Sequence, residues 1–279
     1  WVTYDISETA TEGNLADVSV NSISYSANST YNVSTPASEG AREILLKRVL
    51  IYSPGDYSSK NYRIPAIVTA HDGSLVIATD KRKNNQNDLP DDIDVLINRS
   101  TDGGKTWSEP LTIAQGTGYG AGFGDAGLAR TNEENGLICV FVGGKGFFGG
   151  TPTDPNRTYI CKSNDNGQSW TAPIDITPQL FGSECSDPVR RNWNASFCAS
   201  GAGLLTRDGT ICFVAAVRET SDSSVGSISN YVYYSEDNGT TWKVSSVCKP
   251  NNGNEAKIVE LNDGSWLVSI RNQSKGSRY

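Results

Sequence analysis

Short apolar runs dominate the chain after Ile44, and glycine, aspartate or asparagine separates each run from the next. Two of these runs flank the Asp72-Gly73 dipeptide, a typical tight hairpin turn. The runs are rich in β-branched and aromatic residues and lack the spacing of three and four residues that marks an amphipathic helix. The pattern predicts an all-β chain. Residues 1–45 are instead rich in Ser, Thr, Asn and Ala, which predicts a linker or the remnant of a preceding β module.

An eight-residue pattern, Ser-x-Asp-x-Gly-x-Ser/Thr-Trp, occurs three times, at residues 100–107, 163–170 and 235–242. A DG or NG turn precedes each copy by about 30 residues, so the unit is a supersecondary structure rather than an isolated turn. A unit of this size fits one four-stranded antiparallel blade of a β-propeller. We call each copy of the eight-residue pattern a box. We expect the boxes to stabilise the fold, with Asp and Ser side chains that cap a turn and a Trp that packs over it.

A fourth turn at Asp263-Gly264 has no box after it before residue 279. A propeller closes to protect the edges of its sheets, which three units and part of a fourth do not achieve. The pattern therefore predicts that a C-terminal part of the same propeller lies outside this chain.

The net charge and the histidine content limit which binding partners and catalytic mechanisms fit this chain. The net charge is −7, which argues against nucleic acid as a partner but leaves room for a small anion bound by local arginines. His71 is the only histidine, which nearly excludes Ser-His-Asp triads and zinc sites built from histidine. Catalysis would therefore use carboxylates, tyrosine, lysine or cysteine. No apolar run approaches the roughly 20 residues of a membrane span.

The six cysteines have no C-x-x-C spacing, which argues against metal clusters and redox motifs. Three lie inside apolar runs and are predicted to be small buried hydrophobic residues: Cys139, Cys161 and Cys212. The other three lie in loop-like sequence, where a disulfide is as plausible as free thiols: Cys185, Cys198 and Cys248.

The Arg-Ile-Pro step at Arg63, followed by three boxes, resembles the sialidase family, and secreted bacterial sialidases in particular. The resemblance implies that residues 46–279 are the N-terminal part of a six-bladed β-propeller catalytic domain, with about four blades present. It implies a retaining exo-α-sialidase that removes terminal sialic acid from glycans, glycoproteins or glycolipids without a cofactor. It also implies a secreted, periplasmic or cell-surface location. Sialidases use a tyrosine nucleophile instead of the usual second carboxylate of glycosidases.

The family binds the carboxylate of sialic acid with three arginines, because guanidinium groups stay charged and pair with carboxylates in a bidentate manner. Arg63 in the Arg-Ile-Pro step resembles the first, and Arg271 in LVSIRNQ resembles the second. The third arginine and the nucleophile are expected beyond residue 279, since Tyr279 is in the wrong context. We therefore expect the chain ending there to be inactive alone.

Two carboxyl groups resemble the family's proton-transfer residues. Glu255 would activate the tyrosine, whose neutral form avoids repulsion by the carboxylate of the substrate. Asp88, in the loop after the second strand, would be the general acid/base. Alternatives remain open within the same segments: Glu260 for Glu255, and Asp91, Asp92 or Asp94 for Asp88, although Asp94 alternates with apolar residues and favours a structural role.

Two further residues resemble family residues that contact the substrate. Arg82 in DKRK would lie near the carboxylate or the O4 hydroxyl, and Asp125 in GFGDAG would contact the O4 or N-acetyl side. Phe147, Phe148 and Trp193 would either wall the N-acetyl pocket or belong to the core.

The same residues leave other functions open. Transfer of sialic acid to another sugar, or to its own hydroxyl in an intramolecular trans-sialidase, would share these residues and differ in the walls of the pocket. A non-catalytic sialic-acid-binding propeller would need the arginines but neither Asp88 nor Glu255. The presence of both carboxyl groups favours the enzyme.

Overall fold

The computed structural model describes residues 49–198, 201–220, 228–248, 252–274 and 276–278, together with scattered residues among the first 48. The chain divides into two compact units, Trp1–Leu50 and Ile51–Tyr279. The described residues of the first unit form two antiparallel pairs, β1 (Leu15–Ala16) with β4 (Arg42–Glu43) and β2 (Ser22–Ser26) with β3 (Ser29–Asn32). Most of residues 1–45, for which a linker or module remnant is predicted, lie outside the described residues, as does Tyr279.

The second unit is built from four sheets whose neighbouring strands are almost all antiparallel. Sheet 1 contains β5 (Asn61–Thr69), β6 (Leu75–Arg82), β7 (Ile93–Ser100) and β8 (Leu111–Ala114). Sheet 2 contains β9 (Phe123–Arg130), β10 (Leu137–Gly143), β11 (Arg157–Ser163) and β12 (Ile174–Asp175). Sheet 3 contains β13 (Ala195–Cys198), β15 (Leu204–Leu205), β16 (Ile211–Arg218), β17 (Ile228–Ser235) and β18 (Lys243–Val244). Sheet 4 contains β19 (Ala256–Glu260) and β20 (Trp266–Ile270).

Few regular elements among the described residues depart from this antiparallel arrangement. The short strand β14 (Gly201–Ala202) follows β13 and precedes β15 in the chain, pairs parallel with β9 and so joins a segment within sheet 3 to sheet 2. Helices in the described part of the chain are single turns: α1 (Gly146–Gly149), α2 (Thr177–Leu180) and two 3-10 turns at Asp56–Ser58 and Arg190–Asn192. The all-β prediction is confirmed. No helix among the described residues has the length and apolar character needed to cross a membrane.

The three repeated boxes form the same turn at the end of the third long strand of sheets 1, 2 and 3. In the second copy, Asp165 accepts hydrogen bonds from the Ser169 amide and hydroxyl, and the Ser163 hydroxyl accepts one from the Gly167 amide. The other two copies repeat these bonds at equivalent positions. The predicted role of the boxes as turn-capping devices agrees with this geometry.

Apolar cores lie between neighbouring sheets and explain why the apolar run LICVFVG of β10 is buried on both faces. On β10, Leu137, Cys139 and Phe141 pack toward sheet 1, whereas Ile138 and Val140 pack toward sheet 3. This alternation follows from the two-residue period of a strand. A smaller third core joins sheet 3 to sheet 4 and contains Cys212, Val214, Val232, Ala256 and Ile270.

The cysteines are free thiols in the structure. The prediction that Cys139, Cys161 and Cys212 are buried is confirmed. Of the three cysteines in loop-like sequence, all of them among the described residues, Cys185 and Cys198 are also buried and Cys248 is exposed, and none forms a disulfide.

The box aspartates make stability depend on pH. Hydrogen bonds from Thr241 and its neighbours outweigh the effect of burial and lower the pKa of Asp237 to about 2. Because the folded-state pKa lies below the ordinary value, the stabilisation is complete above about pH 4 and disappears as pH falls toward 2. We predict that Asp237→Asn lowers the melting temperature at pH 7 by about 2–4 °C and weakens its pH dependence between about pH 4 and 2.

Thermal unfolding followed by circular dichroism at several pH values tests this prediction. Glu236→Gln is a matched control, because Glu236 forms only an exposed ion pair with Lys243, and such pairs contribute little. Equal effects of the two substitutions would contradict the assigned role of Asp237.

Candidate active site

A cavity of about 350 Å³ opens where the four sheets of the second unit converge. Sheets 1 to 3 contribute residues from their first strands: Arg63 from β5, Asp125 from β9 and Phe197 from β13. Sheet 4 contributes Glu255, directly before β19, and Arg271, directly after β20. The cavity thus collects residues that are far apart in the sequence.

A bulge in β5 directs Arg63 toward the cavity. The regular pairing of β5 with β6 is interrupted between Arg63 and Ala66. Pro65 has no amide hydrogen for the ladder, and Ile64 adopts a φ of 53°, a costly conformation for a β-branched residue. Bulges of this kind re-aim side chains beside functional sites. The Arg-Ile-Pro motif therefore forms a local bulge that directs the arginine side chain into the cavity.

The loop that carries Asp88 is held by two arginines. The Arg82 guanidinium donates to Asp88 Oδ1 at 2.6 Å and to the Gln86 carbonyl at 2.8 Å. The Arg63 guanidinium donates to the same two acceptors, at 3.5 Å and 3.1 Å. The Asp88 side chain is 68% exposed despite these bonds, so its carboxyl group remains open to the cavity.

Arg82 itself is buried and lies behind the cavity wall. Its side chain is 1% exposed and forms an ion pair at 2.9 Å with Asp80, which is equally buried. A buried guanidinium needs such partners, because an unpaired charge in the protein interior is strongly destabilising. Its remaining Nε has no partner among the described residues. Arg82 contacts the cavity through Asp88, and it is not among the residues that line it.

Asp125 links sheet 2 to this ion pair. Its backbone amide donates to Asp80 Oδ1 at 2.9 Å, and its backbone has a φ of 55°, in the left-handed region. Burial, with a further contribution from the charge of Asp88, raises the pKa of Asp125 to about 6. Burial also raises the pKa of Asp80, with the charge of Asp125 as the second cause.

Glu255 and Arg271 also line the cavity. The Arg271 guanidinium donates to Glu255 Oε2 at 2.7 Å, and the Arg271 amide donates to the Glu255 carbonyl at 2.8 Å. Both side chains are about half exposed, so the pair faces the cavity rather than the core. Asn254 and Gln273 flank the pair and are hydrogen-bonded to each other at 2.7 Å.

The structure brings five of the six candidate residues into one cavity: Arg63, Asp88, Asp125, Glu255 and Arg271. The sixth, Arg82, lies behind it and holds Asp88.

The alternative carboxylates have other partners. Asp92 and Asp94 both pair with Lys83, at 2.9 Å and 2.8 Å, and Asp91 accepts a hydrogen bond from Asn85. Glu260 pairs with Arg207 at 3.2 Å. None of these four lines the cavity. The geometry therefore favours Asp88 and Glu255 within their segments.

The aromatic candidates separate into two groups. Phe147 and Phe148, in α1, line the cavity. Trp193 is buried in the core between sheets 2 and 3 and packs against Tyr231. Its interpretation as a core residue is therefore the correct one.

Several cavity residues were missing from the sequence-based predictions, namely Asn156, Phe197, Asn254 and Gln273. Asn254 and Gln273 lie within two residues of Glu255 and Arg271, so proximity to a candidate was the available signal. Asp80 was also missed, although it lies two residues before Arg82 and hence on the same face of β6. Asn156 and Phe197 carry no local sequence signal.

The cavity combines two exposed arginines with three carboxyl groups. The arginines suit a planar anion such as a carboxylate, which guanidinium groups bind in a bidentate manner. The carboxyl groups supply hydrogen-bond acceptors and groups able to transfer protons in the same cavity. A site of this kind would bind a small acidic molecule and transfer protons beside it.

Comparison with known proteins identifies the family. Residues 62–279 match the family model described as BNR repeat-like domain. The chain belongs to this family. The match begins at the Arg-Ile-Pro strand and includes all three boxes.

Curated relatives confirm the predicted resemblance to bacterial-type sialidases. The chain is 32% identical over 241 residues to a sialidase of Bacteroides fragilis, covering 80% of this chain and 42% of that protein. It is 34% identical over 229 residues to a sialidase of Micromonospora viridifaciens, covering 77% of this chain and 33% of that protein. The chain thus spans less than half the length of these relatives.

Solved structures confirm the predicted propeller fold. The Hadza microbial sialidase Hz136 aligns with a TM-score of 0.72 and 26% identity, over 89% of this chain and 49% of that one. A Trypanosoma rangeli sialidase in complex with 2,3-difluorosialic acid aligns with a TM-score of 0.61 and 20% identity, over 83% and 35%. The four sheets described above are therefore part of a sialidase-type propeller. Among the described residues, sheet 4 contains two strands.

The raised pKa of Asp125 gives a further test of the site. Between about pH 4 and 6 the folded protein holds a proton at Asp125 that the unfolded chain has lost, so folding stability falls as pH rises through this window. We predict that the free energy of unfolding of the wild type, relative to Asp125→Asn, falls by up to about 1.4 kcal/mol per pH unit there.

Denaturant unfolding of both proteins at pH 4, 5, 6 and 7 measures this difference. Glu133→Gln, in an exposed turn, is a control whose difference from the wild type should change little with pH. A wild-type curve parallel to that of Asp125→Asn would contradict the protonated state of Asp125 below pH 6.

Proposed function

We propose that this chain is part of a retaining exo-α-sialidase that hydrolyses terminal α-linked sialic acid from glycoconjugates. The observation that carries the proposal is the meeting of Arg63 and Arg271 with Asp88 and Glu255 around one cavity. A site for sialic acid needs fixed cations for the substrate carboxylate and proton-transfer groups beside the glycosidic bond. The sialidase relatives support the same reaction.

In this proposal, Arg63 and Arg271 bind the substrate carboxylate. Both are about half exposed and each currently pairs with a carboxylate, Arg63 with Asp88 and Arg271 with Glu255. The carboxylate of the substrate would replace or share these partners, so binding would couple directly to the two proton-transfer groups. The third arginine and the tyrosine nucleophile stay predictions for residues beyond 279.

Asp88 would protonate the leaving oxygen and later deprotonate the attacking water. Its exposed carboxyl group at the cavity edge supports this role, because the leaving sugar must extend out of the cavity toward solvent. Glu255 would accept the proton of the tyrosine nucleophile. Asp125 would contact the hydroxyl or acyl substituents of the sugar, and Arg82 would hold Asp88 from behind.

Transfer to an acceptor other than water remains the alternative within the same chemistry. A segment of 61 residues is 41% identical to an anhydrosialidase of Macrobdella decora, which covers 22% of this chain. The identity of the product, free or anhydro sialic acid, distinguishes hydrolysis from intramolecular transfer and is read by mass spectrometry. We propose hydrolysis, since the relatives with broad coverage are sialidases.

A comparison of leaving groups tests the role of Asp88 in the full-length protein. We predict that Asp88→Asn slows cleavage of a natural sialoside such as sialyllactose by about 10²–10⁴-fold. An aryl sialoside should lose less than about tenfold, because its leaving group needs little protonation. Initial rates with both substrates near pH 6 measure the difference.

Asp91→Asn is the matched control. Asp91 lies in the same loop, but it accepts a hydrogen bond from Asn85 and does not line the cavity. This variant should slow neither substrate by more than about twofold. Equal losses on both substrates in Asp88→Asn would contradict its role as the acid. Binding of sialic acid without turnover by the wild type would favour a binding protein instead.

A further inference from the structure

The amide of Asn230 is buried where sheet 3 meets the segment that carries Glu255. Asn230 lies on β17 and is 0% exposed. Its Nδ2 donates to the Asn254 carbonyl at 2.7 Å and to the Ala215 carbonyl at 3.2 Å. The Asn254 carbonyl belongs to the peptide bond that leads into Glu255. One buried side chain therefore joins the framework of sheet 3 to the backbone of a cavity residue on sheet 4.

Gly253 shows how closely the amide is fitted to this segment. A Cβ atom added at Gly253 would lie 1.7 Å from Asn230 Oδ1, far closer than two such atoms can approach. The Gly253 amide also donates to the Ile228 carbonyl on the same strand as Asn230, at 3.1 Å. The oxygen Oδ1 has no hydrogen-bond donor among the described residues. Shape as well as hydrogen bonding thus fixes the segment against β17.

The hydrogen bonds continue from this contact to the cavity. The Asn254 side chain accepts a hydrogen bond from the Glu255 amide at 2.7 Å and donates to Gln273 at 2.7 Å. The Glu255 carboxylate in turn accepts a hydrogen bond from the Arg271 guanidinium at 2.7 Å. Asn230 itself is not among the residues that line the cavity. It therefore acts on the site only through the segment that it holds.

We propose that Asn230 is a positioning residue for Glu255, and that the absence of a side chain at Gly253 leaves room for its amide. The inference rests on the proposed function, in which Glu255 activates the nucleophile. Small displacements of a reacting group slow catalysis strongly, by up to about 10²-fold for 1 Å. The buried amide is thus a specific device for the geometry of the base and not only one more hydrogen bond of the core.

The decisive experiment compares Asn230→Ala in two backgrounds of the full-length protein. In the wild-type background it should lower kcat for an aryl sialoside by about tenfold or more. In a Glu255→Gln background, where the base is already lost, it should lower kcat by less than about twofold. A residue with a purely structural role would reduce kcat by the same factor in both backgrounds, and that result would overturn the proposal.

A second pair of variants tests the fit between the amide and Gly253. Gly253→Ala should lower kcat in the wild-type protein, because the new methyl group displaces the amide. Adding it to Asn230→Ala should cost little more, because the clash partner has been removed. Independent losses that multiply in the double variant would overturn the proposed contact. Asn230→Ser, which is less disruptive, replaces Asn230→Ala throughout if the latter does not fold.

Asn98→Ala is the matched control for loss of a buried amide. Asn98 is also buried, donates to the Ser108 carbonyl at 2.8 Å and lies in sheet 1 away from the cavity. It should lower the melting temperature to a similar extent and leave kcat unchanged. If the wild type itself does not cleave the sialoside, the proposed function fails. If the wild type is active and Asn230→Ala keeps its kcat, the positioning role alone fails.

Discussion

The ion pair between the buried guanidinium of Arg82 and the carboxylate of Asp80 is the interaction on which the site depends most. The guanidinium lies in the interior of sheet 1, and such a charge persists there only with ionic and hydrogen-bonding partners. Asp80 supplies one partner, and the Asp88 loop supplies the carboxylate and the Gln86 carbonyl. Asp80 also accepts a hydrogen bond from the backbone amide of Asp125. The Arg82–Asp80 ion pair therefore holds residues of both sheet 1 and sheet 2. The candidate acid and the Asp125 backbone are thereby held together before any substrate binds.

The sheets impose the second constraint. Each packs face to face with the next across an apolar core, which leaves the beginnings of the first strands gathered around the cavity. Arg63 reaches this cavity through a bulge that Ile64 and Pro65 create, and Glu255 through a segment fixed against β17. Two residues with left-handed backbone conformations, Ile64 and Asp125, therefore lie at the cavity, where side chains must be aimed.

Much of this architecture could be predicted from the sequence because it depends on local patterns. Alternating apolar runs predict the strands, and the repeated box predicts the same capped turn in three sheets. Arg63 could be predicted because it lies in the Arg-Ile-Pro motif, and Asp88 because it lies in the loop after the second strand. Asn230 and Asn156 were not found, because their roles depend on contacts with Asn254 and Ser196, which lie 24 and 40 residues away. A local sequence pattern does not predict hydrogen bonds between residues so far apart in the chain. The burial of Arg82 was also missed, since a charged DKRK segment predicts exposure.

We propose that Arg63 and Arg271 form a binding site for the carboxylate of sialic acid. A crystal structure of the full-length protein with an unreactive sialic acid analogue would test this proposal most directly. The carboxylate should lie within hydrogen-bond distance of both guanidinium groups, with Asp88 beside the position of the leaving oxygen. An analogue bound with its carboxylate away from both arginines, or bound outside the cavity, would contradict it.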